Sequence, residues 1–503
     1  MVHAAPAGAH HRRMTTTEAL TAPATLRNFA GGAWVEPTGV DLLDDVDPAT
    51  GDVLSRVPLS AAADVDRAVQ AARAAFPAWR DTSPLVRARA LMAVRGVLDA
   101  HRDELAELVS RDMGKALPDA LAEVGRGIES VEAALAAPHL LKGESLGGVA
   151  RGLDVAMMRQ PLGVVAAITP FNFPAMIPLW FLPFALACGN TFVLKPSELD
   201  PQPAVRMIEL IADLDEIPDG VVNLVHGAHE AVNALLDHPE VDAISFVGSA
   251  ATARYVAKRG VANGKRVQAL GGAKNSMVVM PDAPRDLTKK RLSASAFGAA
   301  GQRCLAGSVA LLVGTPEEQD ASRELILEAA AELKVGPGLD PSTDVCPLVS
   351  RAARERVERE VAEAVGRGGR LALDGRRDGG SGGAELGPTI IEGLPDEDRA
   401  LREELFGPVL ALHRVETLAE AVEWTNRNRY GNSAVIFTSS GGAARDFSER
   451  IAAGMIGVNV GVAAPIAWFP FSGWGDSIDG DLHANGTDAV EFYTRKKVVT
   501  SRW

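Results

Sequence analysis

Hydrophobic residues recur at two different spacings along the chain, and the change of spacing divides it into regions. Between residues 60 and 135 they recur every three or four positions, which is the period of one helix face. Ser83 followed by proline is typical of a helix start, because serine accepts from free N–H groups and proline suits the first turn. The third helix of this region carries an apolar stripe over 121–135, and Arg126 lies off that stripe. Arg126 is therefore predicted to lie on a helix without belonging to its buried face.

After residue 161 the helical spacing gives way to short apolar runs. The segment 28–58, before the helical region, is also short-patterned and turn-rich, and it is predicted to be a small strand region. Alternation of such runs with helical segments predicts βαβ units, with parallel sheets covered by helices on both faces. The predicted fold class is therefore α/β. The predicted strands are 163–169, 191–195, 222–225 and 243–247 in a first region, and 277–280, 309–313, 371–373, 434–437 and 456–460 in a second. The helices of the first region are predicted at 174–188, 203–214, 229–236 and 250–259.

The two ends of the chain differ from this pattern. Residues 1–26 are rich in Ala, His, Thr and Pro and lack an apolar signal core, so they are predicted to be a disordered leader. The tail from residue 490 has strand-like composition, and an exposed strand edge is suited to pairing with another chain. The tail therefore favours a homo-oligomer.

Composition excludes several classes of partner. A chain of 503 residues is too long for one core and predicts two or three domains. The net charge of −14 argues against nucleic acid or an anionic membrane as the main partner. No run of 18 uncharged apolar residues occurs, and three cysteines cannot form a disulfide framework. A cytoplasmic protein is predicted, with no membrane or nucleic-acid partner.

Cys304 is presented differently from the other two cysteines. Glycines at 298 and 301 precede it, so the backbone can come close to a substrate, and Arg303 favours the thiolate. Cys188 lies in an apolar run and is predicted to be a buried small hydrophobe, and Cys346 is predicted to be a loop residue. From these residues alone, Cys304 is either a nucleophile or a structural cysteine.

Polar residues that follow predicted strands are candidates for binding. No Gly-x-Gly-x-x-Gly or Walker A pattern occurs, but Ser249 comes between a strand and a helix, where it forms an anion site or a simple helix cap. Lys195 and Glu198 follow another strand at the end where α/β sheets bind ligands, although a solvated turn has the same composition. Asn172 lies between aromatic residues and prolines, where its NH₂ is either an oxyanion donor or part of a turn.

Together these segments resemble the aldehyde dehydrogenase superfamily in their order and spacing. The resemblance implies that Cys304 is the nucleophile and Asn172 the oxyanion donor, with NAD as cofactor and no metal. The segments are Pro161-Leu-Gly-Val-Val, Pro170-Phe-Asn-Phe-Pro174, Leu194-Lys-Pro-Ser-Glu198, Phe246-Val-Gly-Ser249, Gly301-Gln-Arg-Cys304 and Glu404-Leu-Phe-Gly-Pro408. The positions that match NAD contacts in the family are Thr169, Phe171, Lys195, Glu198, Leu199, Ser249, Gly271 and Glu404. Glu198 favours NAD over NADP.

The resemblance also implies a three-part fold, with two doubly wound α/β domains and a small β oligomerisation element. Residues 27–137 and 161–272 are expected to form the NAD-binding domain, and residues 273–472 the catalytic domain. Residues 138–160 and 485–503 are expected to form the oligomerisation element of a homodimer or homotetramer.

One departure from the family pattern concerns deacylation. Hydrolytic members carry a glutamate 34 residues before the cysteine, where it activates the deacylating water. Here that position is Leu270, and no carboxylate occurs from Val267 to Asn275. Because general-base help is worth about 10²–10⁴ in rate, hydrolysis of a thioacyl enzyme should be slow. Coenzyme A, which needs less activation than water, is the expected acyl acceptor.

The chain further resembles the CoA-acylating methylmalonate-semialdehyde dehydrogenases. Their marks are Gly272-Ala-Lys-Asn275, Phe297-Gly-Ala-Ala-Gly, Gly457-Val-Asn-Val-Gly-Val, Phe469-Pro-Phe-Ser-Gly-Trp474, Leu482-His-Ala-Asn-Gly and Phe492-Tyr-Thr-Arg-Lys-Lys-Val-Val-Thr-Ser. In that subfamily Arg126 and Arg303 resemble a clamp for the substrate carboxylate, which suits the paired donors of guanidinium groups. The expected reaction is the oxidation of methylmalonate or malonate semialdehyde, with decarboxylation, to propionyl-CoA or acetyl-CoA, as in valine or inositol catabolism.

Two alternatives stay open from the sequence. One is a hydrolytic dehydrogenase for another acidic semialdehyde, such as succinate semialdehyde, and the other is a catalytically silent protein of the same fold. Residues 475–480 depart from relatives, which often carry a Lys- or Ser-rich segment containing an aromatic residue there. We expect this acidic segment to border the mouth of the active site.

Overall fold

The computed structural model describes residues 23–38 and 41–503, so most of the predicted leader lies outside the described residues. The strands are β1 Asn28–Ala30, β2 Ala33–Val35, β3 Leu42–Val46, β4 Val53–Pro58, β5 Glu144–Ala150, β6 Leu153–Pro161, β7 Val164–Ile168, β8 Thr191–Lys195, β9 Val222–Leu224, β10 Val241–Val247, β11 Arg266–Leu270, β12 Asn275–Val279, β13 Gly307–Val313, β14 Arg370–Leu373, β15 Thr389–Glu392, β16 Val409–Val415, β17 Tyr430–Gly431, β18 Ser433–Phe437, β19 Met455–Val458, β20 Trp474–Gly475, β21 Ile478–Asp479 and β22 Thr494–Arg502. The helices are α1 Ala62–Asp81, α2 Pro84–Ala100, α3 Arg102–Met113, α4 Leu117–Ala134, α5 Ala137–Leu140, α6 Met176–Ala187, α7 Gln202–Ala212, α8 His229–Asp237, α9 Ala250–Ala262, α10 Arg285–Phe297, α11 Pro316–Ala331, α12 Arg351–Gly366, α13 Arg399–Arg402, α14 Leu418–Asn426, α15 Gly441–Arg450 and α16 Gly486–Phe492.

The first sheet has eight strands in the order β2-β1-β9-β8-β7-β10-β11-β21. The five strands from β9 to β11 are parallel, and antiparallel strands close both edges. The central strands β7 and β8 are fully buried, as expected for a parallel sheet covered by helices on both faces. The predicted strands and helices of this region are confirmed to within a few residues.

The second sheet has seven strands in the order β14-β15-β16-β13-β12-β18-β19. All neighbours from β15 to β19 are parallel, and β14 is antiparallel at one edge. Its apolar side chains form a core separate from those of the first sheet. Two α/β units are therefore present, in agreement with the predicted fold class.

A third, antiparallel sheet consists of β22, β6 and β5. Strand β22 pairs with β6 over nine residues, from Thr494 opposite Pro161 to Arg502 opposite Leu153. The segment before β22 lies elsewhere, because Phe492 and Tyr493 are buried in the core of the first unit. The tail thus anchors itself in the first unit before it joins the small sheet.

The ends of the parallel strands bring the candidate site residues together. Ile168 at the end of β7 is paired with Lys195 of β8 on one side and with Phe246 of β10 on the other. Residues that follow these strands therefore lie at one edge of the sheet, where α/β proteins bind ligands. Cys304 lies just before β13 of the second sheet, so the candidate site is located between the two units.

None of the helices in the described part of the chain is both long and apolar enough to cross a membrane. The most apolar helix, α6, has 12 residues and is buried throughout by the surrounding helices and sheet. Its composition is explained by this central position in the first unit.

Candidate active site

A strained turn leads from α10 to Cys304. Ala299 and Ala300 have positive φ angles of 49° and 52°, and Gly301 has φ 69°. Alanine in this region costs on the order of 1–3 kcal/mol per residue, so the surrounding structure must hold the turn in place. At Gly301 a side chain is excluded, because a Cβ would clash with the carbonyl group of Gly407. Glycine is therefore required there for the close approach of the Gly407 backbone, and approach to a substrate stays a prediction.

Two asparagines fix the backbone of Cys304. The side chains of Asn275 and Asn432 each donate from Nδ2 to the Cys304 carbonyl oxygen at 2.8 Å. Asn275 also donates to the Ala306 carbonyl oxygen at 2.9 Å. These bonds tie the cysteine to β12 and to the start of β18, so its position is set by the second sheet.

A cavity of about 290 Å³ opens beside Cys304. Arg126 and Arg303 line it together with the cysteine, so the structure brings together the predicted nucleophile and both predicted carboxylate ligands. Much of its wall is apolar or aromatic. The wall residues are Ala122, Phe173, Met176, Trp180, Leu305, Val462, Ala464, Pro465, Ala467 and Phe471, with Lys115, Asp119, Glu123, Ser130 and Asn485 among the polar ones.

Both arginines already have a carboxylate partner in the protein. Arg303 lies 2.6 Å from a carboxylate oxygen of Asp119, and Arg126 lies 2.6 Å from one of Glu129. Arg126 also donates to the carbonyl oxygen of Pro465. A guanidinium has five N–H donors, so each arginine keeps donors that can serve a carboxylate in the cavity.

The pKa of the Cys304 thiol differs from the sequence expectation. Burial, with a smaller contribution from the negative charge of Glu404, raises the pKa to about 12. The N–H groups of Cys304 and Leu305 lower the pKa, and so does Arg303, in the predicted direction. The predicted contribution of Arg303 in favour of the thiolate is therefore present, but burial outweighs it and the net shift of the pKa is upward.

This pKa predicts how the alkylation of Cys304 depends on pH. Because the thiolate is the nucleophile and pH stays below the pKa, its fraction should rise about tenfold per pH unit from pH 7 to 10. The rate of iodoacetamide labelling measures this dependence, after the labelling of the Cys304→Ala variant has been subtracted to remove the contribution of the other two cysteines. A plateau below pH 9 would show that charged neighbours outweigh burial.

Asn172 lies on the loop after β7 and is buried. Its Nδ2 donates to the carbonyl oxygen of Gln302 at 3.0 Å, two residues before Cys304. The predicted oxyanion donor is therefore bonded to the loop that carries the predicted nucleophile. Asn172 follows a strand of the first sheet, whereas Cys304 precedes a strand of the second.

Three of the predicted cofactor residues follow neighbouring strands. The N–H of Thr169 donates to the Lys195 carbonyl oxygen at 3.1 Å, and Lys195 Nζ donates to Glu198 at 2.6 Å. Ser249 caps α9 by accepting from the Thr252 N–H at 3.3 Å. The geometry brings these residues to one edge of the sheet and leaves a helix N-terminus there, which suits a phosphate group.

Leu199 and Phe171 are two further residues of the predicted cofactor site. Leu199 is 37% exposed, and its N–H donates to the Ser197 hydroxyl at 3.1 Å. The ring of Phe171 stands edge-on to that of Phe406, with 5.7 Å between ring centres. Phe406 has a positive φ of 53°, so its backbone is strained where it meets Phe171.

Glu404 lies next to Gly272, which follows the strand that ends at Leu270. A Cβ on Gly272 would lie 2.8 Å from a Glu404 carboxylate oxygen, so glycine allows this close approach. Burial raises the pKa of Glu404 to about 7, while the Ala273 N–H and the charge of Lys274 lower it. With this pKa, the Glu404 carboxyl group changes between its charged and neutral forms near pH 7. A ligand hydroxyl that donates a hydrogen bond to the carboxylate would favour the charged form.

The acidic segment 475–480 packs against the strand that ends at Leu270. Ile478 pairs with Leu270, and the Gly271 N–H donates to the Ser477 carbonyl oxygen at 2.9 Å. Asp476 forms ion pairs with Arg254 and Arg429. Leu270 itself is 4% exposed, so this segment covers the position where hydrolytic family members carry their base.

Sequence reasoning missed the charged residues that surround the arginines. Asp119, Glu123 and Arg126 all belong to α4 and line the cavity. Their spacing of four and then three residues places them on one helix face, and this spacing was the signal that could have found them. Lys115, in the turn before α4, carried no comparable signal.

The family assignment rests on this fold and site together with direct similarity. The model of the Aldehyde dehydrogenase family matches residues 34–499, so the chain belongs to the aldehyde dehydrogenase family and is an enzyme of that type. Among curated relatives, malonate-semialdehyde dehydrogenase 1 of Geobacillus kaustophilus (strain HTA426) is 49% identical over 488 residues, which cover 96% of this chain and 99% of the relative.

Solved structures agree in fold over nearly the whole chain. A methylmalonate-semialdehyde dehydrogenase from Oceanimonas doudoroffii is 44% identical with a TM-score of 0.92, over 95% of this chain and 98% of that one. A protein of Sinorhizobium meliloti 1021, assigned as a methylmalonate-semialdehyde dehydrogenase and complexed with NAD, is 41% identical with a TM-score of 0.93, over 96% and 99%. The predicted aldehyde dehydrogenase fold is thereby confirmed.

The chemistry of the predicted cofactor residues fits NAD. The capped helix at Ser249 offers N–H groups to phosphate, and buried Glu404 offers a carboxylate to a ribose. At Gly271 a Cβ would lie 2.9 Å from the Asp476 carbonyl oxygen, so the chain there is too close-packed for a side chain. The family and the NAD-complexed relative support NAD as the cofactor of this enzyme.

Proposed function

We propose that this enzyme oxidises methylmalonate or malonate semialdehyde with NAD and transfers the acyl group, with loss of the carboxylate, to CoA. One observation carries the proposal: Cys304 shares a cavity with Arg126 and Arg303, while the hydrolytic base position holds the buried Leu270. The names of the similar proteins agree with a malonate-type substrate. The products would be acetyl-CoA or propionyl-CoA.

In the proposed first step the Cys304 sulfur attacks the aldehyde carbon. The negative charge that forms on the aldehyde oxygen is stabilised by the Cys304 N–H and by Asn172 Nδ2, which donates to the Gln302 carbonyl oxygen two residues before Cys304. When bound, NAD supplies the hydride acceptor that converts the thiohemiacetal into a thioester. Arg126 and Arg303 hold the substrate carboxylate so that the aldehyde faces the sulfur.

In the proposed second step the acyl group leaves the enzyme. The thioester carries a carboxylate on its α-carbon and readily loses CO₂, because the thioester carbonyl stabilises the negative charge left on that carbon, and a proton then takes the place of the carboxylate. Water lacks a base at position 270, whereas the thiol of CoA is a better nucleophile and needs less help. CoA then displaces the Cys304 sulfur, which regenerates the free enzyme.

NADH formation should therefore require CoA beyond the first turnover. Without CoA the enzyme should release about one NADH per active site and then slow strongly, because general-base help worth about 10²–10⁴ in rate is missing. Stopped-flow absorbance of NADH with malonate semialdehyde, with and without CoA, measures both phases. Desulfo-CoA, which keeps the shape of CoA without its thiol, is the control.

The two alternatives give different results in that experiment. A steady state at full rate without CoA would contradict the proposal and favour a hydrolytic dehydrogenase. Absence of any NADH with either aldehyde would favour a catalytically silent protein, and labelling of Cys304 protected by NAD would then test cofactor binding. A burst followed by CoA-dependent turnover supports acyl transfer.

We also propose that the enzyme is a cytoplasmic homo-oligomer. Strand β22 is an edge of the small sheet and β19 is an edge of the second sheet, so each has a free side for pairing. Val498 and Trp503, on or just beyond β22, are 63% and 86% exposed, as is usual for a surface that a second copy covers. Sedimentation velocity tests this, since a mass of 52.8 kDa would contradict it.

A further inference from the structure

Lys115 and Glu123 form an ion pair that is almost completely buried. Their side chains are 1% and 0% exposed, and Lys115 Nζ donates to a Glu123 carboxylate oxygen. Lys115 lies in the turn between α3 and α4, and Glu123 lies one turn before Arg126 on α4. Both residues line the cavity that contains Cys304.

The pair holds the loop that carries Asn172. Lys115 Nζ donates to the Asn172 carbonyl oxygen at 2.8 Å and lies 4.1 Å from the centre of the Phe173 ring. The other Glu123 oxygen accepts from the N–H groups of Ala175 and Met176 at 2.9 and 3.2 Å. A charged group thus binds the backbone at both ends of residues 172–176.

Stability alone gives no reason for such a pair. Taking two charges out of water is costly, and a buried ion pair can often be replaced by apolar residues with neutral or favourable effect on stability. The pair instead fixes geometry, because charge-assisted hydrogen bonds hold the groups they join in defined positions. Here those groups are the backbone atoms on both sides of the Asn172 amide.

We propose that Lys115 and Glu123 are positioning residues that set the orientation of the Asn172 side chain toward the reacting aldehyde oxygen. The inference rests on the proposed role of Asn172 as oxyanion donor. Lys115 fixes the carbonyl of Asn172, while Asn172 Nδ2 reaches across to Gln302 at 3.0 Å. Loss of the pair lets the loop shift, and a shift of about 1 Å in a catalytic group costs on the order of 10² in rate.

The test removes both charges at once. Lys115→Met together with Glu123→Gln leaves neither charge unpaired, and the glutamine can still accept from Ala175 and Met176. We expect kcat to fall about 10- to 100-fold with little change in KM, equally for malonate semialdehyde and propanal, since both form the same oxyanion. Glu123→Gln alone should lower kcat by less than the double substitution, because it leaves the Lys115 bond to Asn172 in place but removes the charge that holds Lys115.

A double-mutant cycle separates positioning from general damage. If the pair acts through Asn172, adding the double substitution to Asn172→Ala should lower kcat by less than twofold. If the double substitution lowers kcat by the same factor in the wild-type protein and in Asn172→Ala, the inference is overturned. Full activity of Asn172→Ala would instead overturn the proposed role of Asn172.

A matched control lies in the second unit. Arg323 and Glu392 form an ion pair with bonds of 2.6 and 3.1 Å between α11 and β15, outside the cavity. Replacing this pair by Met and Gln should leave kcat unchanged at 25 °C. If the Lys115–Glu123 variant unfolds at the assay temperature while the control does not, Glu123→Gln and Lys115→Gln are assayed singly. Both substitutions should then lower kcat without changing KM, with the larger fall for Lys115→Gln, and an unchanged kcat in both would overturn the inference.

Discussion

Replacing Cys304 by alanine should abolish NADH production from every aldehyde, with a loss of about 10⁴-fold or more in kcat. The sulfur is the proposed site of covalent attack, and removal of a nucleophile costs more than removal of any group that assists it. Cys304 is also the cysteine that lines the cavity with the two arginines. Steady-state and burst-phase NADH absorbance with malonate semialdehyde and with propanal measures the effect.

The other two cysteines provide the controls. Cys188 and Cys346 are buried in the cores of the first and second units, and burial raises the pKa of both thiols. Cys188→Ala and Cys346→Ala should therefore retain activity, although each leaves a small cavity. NADH production by Cys304→Ala at more than a few per cent of the wild-type rate would contradict a covalent mechanism.

The strands that the sequence predicted are those with uninterrupted apolar runs. Strand β8, for example, is Thr-Phe-Val-Leu-Lys and is fully buried. Strand β11 was missed because Arg266 and Gln268 interrupt its apolar pattern, although Gln268 is completely buried and donates to Ser245 at 2.8 Å. A polar residue whose partner lies on a neighbouring strand gives no signal along the chain.

The same limit applies to the candidate site. The motifs identified Cys304, Asn172 and the two arginines, because each lies in a short segment with its own pattern. Asp119, the partner of Arg303, is close to it only in the folded chain, whereas Glu129 lies three residues after Arg126 on the same helix. The upward shift of the Cys304 pKa gave no signal in the sequence for a related reason, since burial is a property of the assembled site and outweighs the neighbouring arginine.

Replacing both Arg126 and Arg303 by glutamine should lower kcat/KM for malonate semialdehyde by about 10²–10⁴, and should change kcat/KM for propanal little. Hydrogen bonds to charged groups contribute about 1.5–3 kcal/mol each, and propanal has no carboxylate to receive them. Both arginines line the cavity at Cys304, yet each is also held by a carboxylate of the protein. The substrate carboxylate therefore binds to N–H groups that these internal partners leave free.

Asp119→Asn separates the role of Arg303 as a ligand from its role in the internal ion pair. This variant keeps both guanidinium groups in the cavity and removes the charge that competes with the substrate for Arg303. It should therefore retain the preference for the semialdehyde acid over propanal, with an equal or lower KM for the acid. Equal losses on both aldehydes in the double arginine variant would show that the arginines support the structure of the cavity and do not bind a carboxylate. A preference that is lost in the arginine variant and kept in Asp119→Asn is the pattern that a carboxylate clamp requires, because these two variants remove opposite members of the same ion pair.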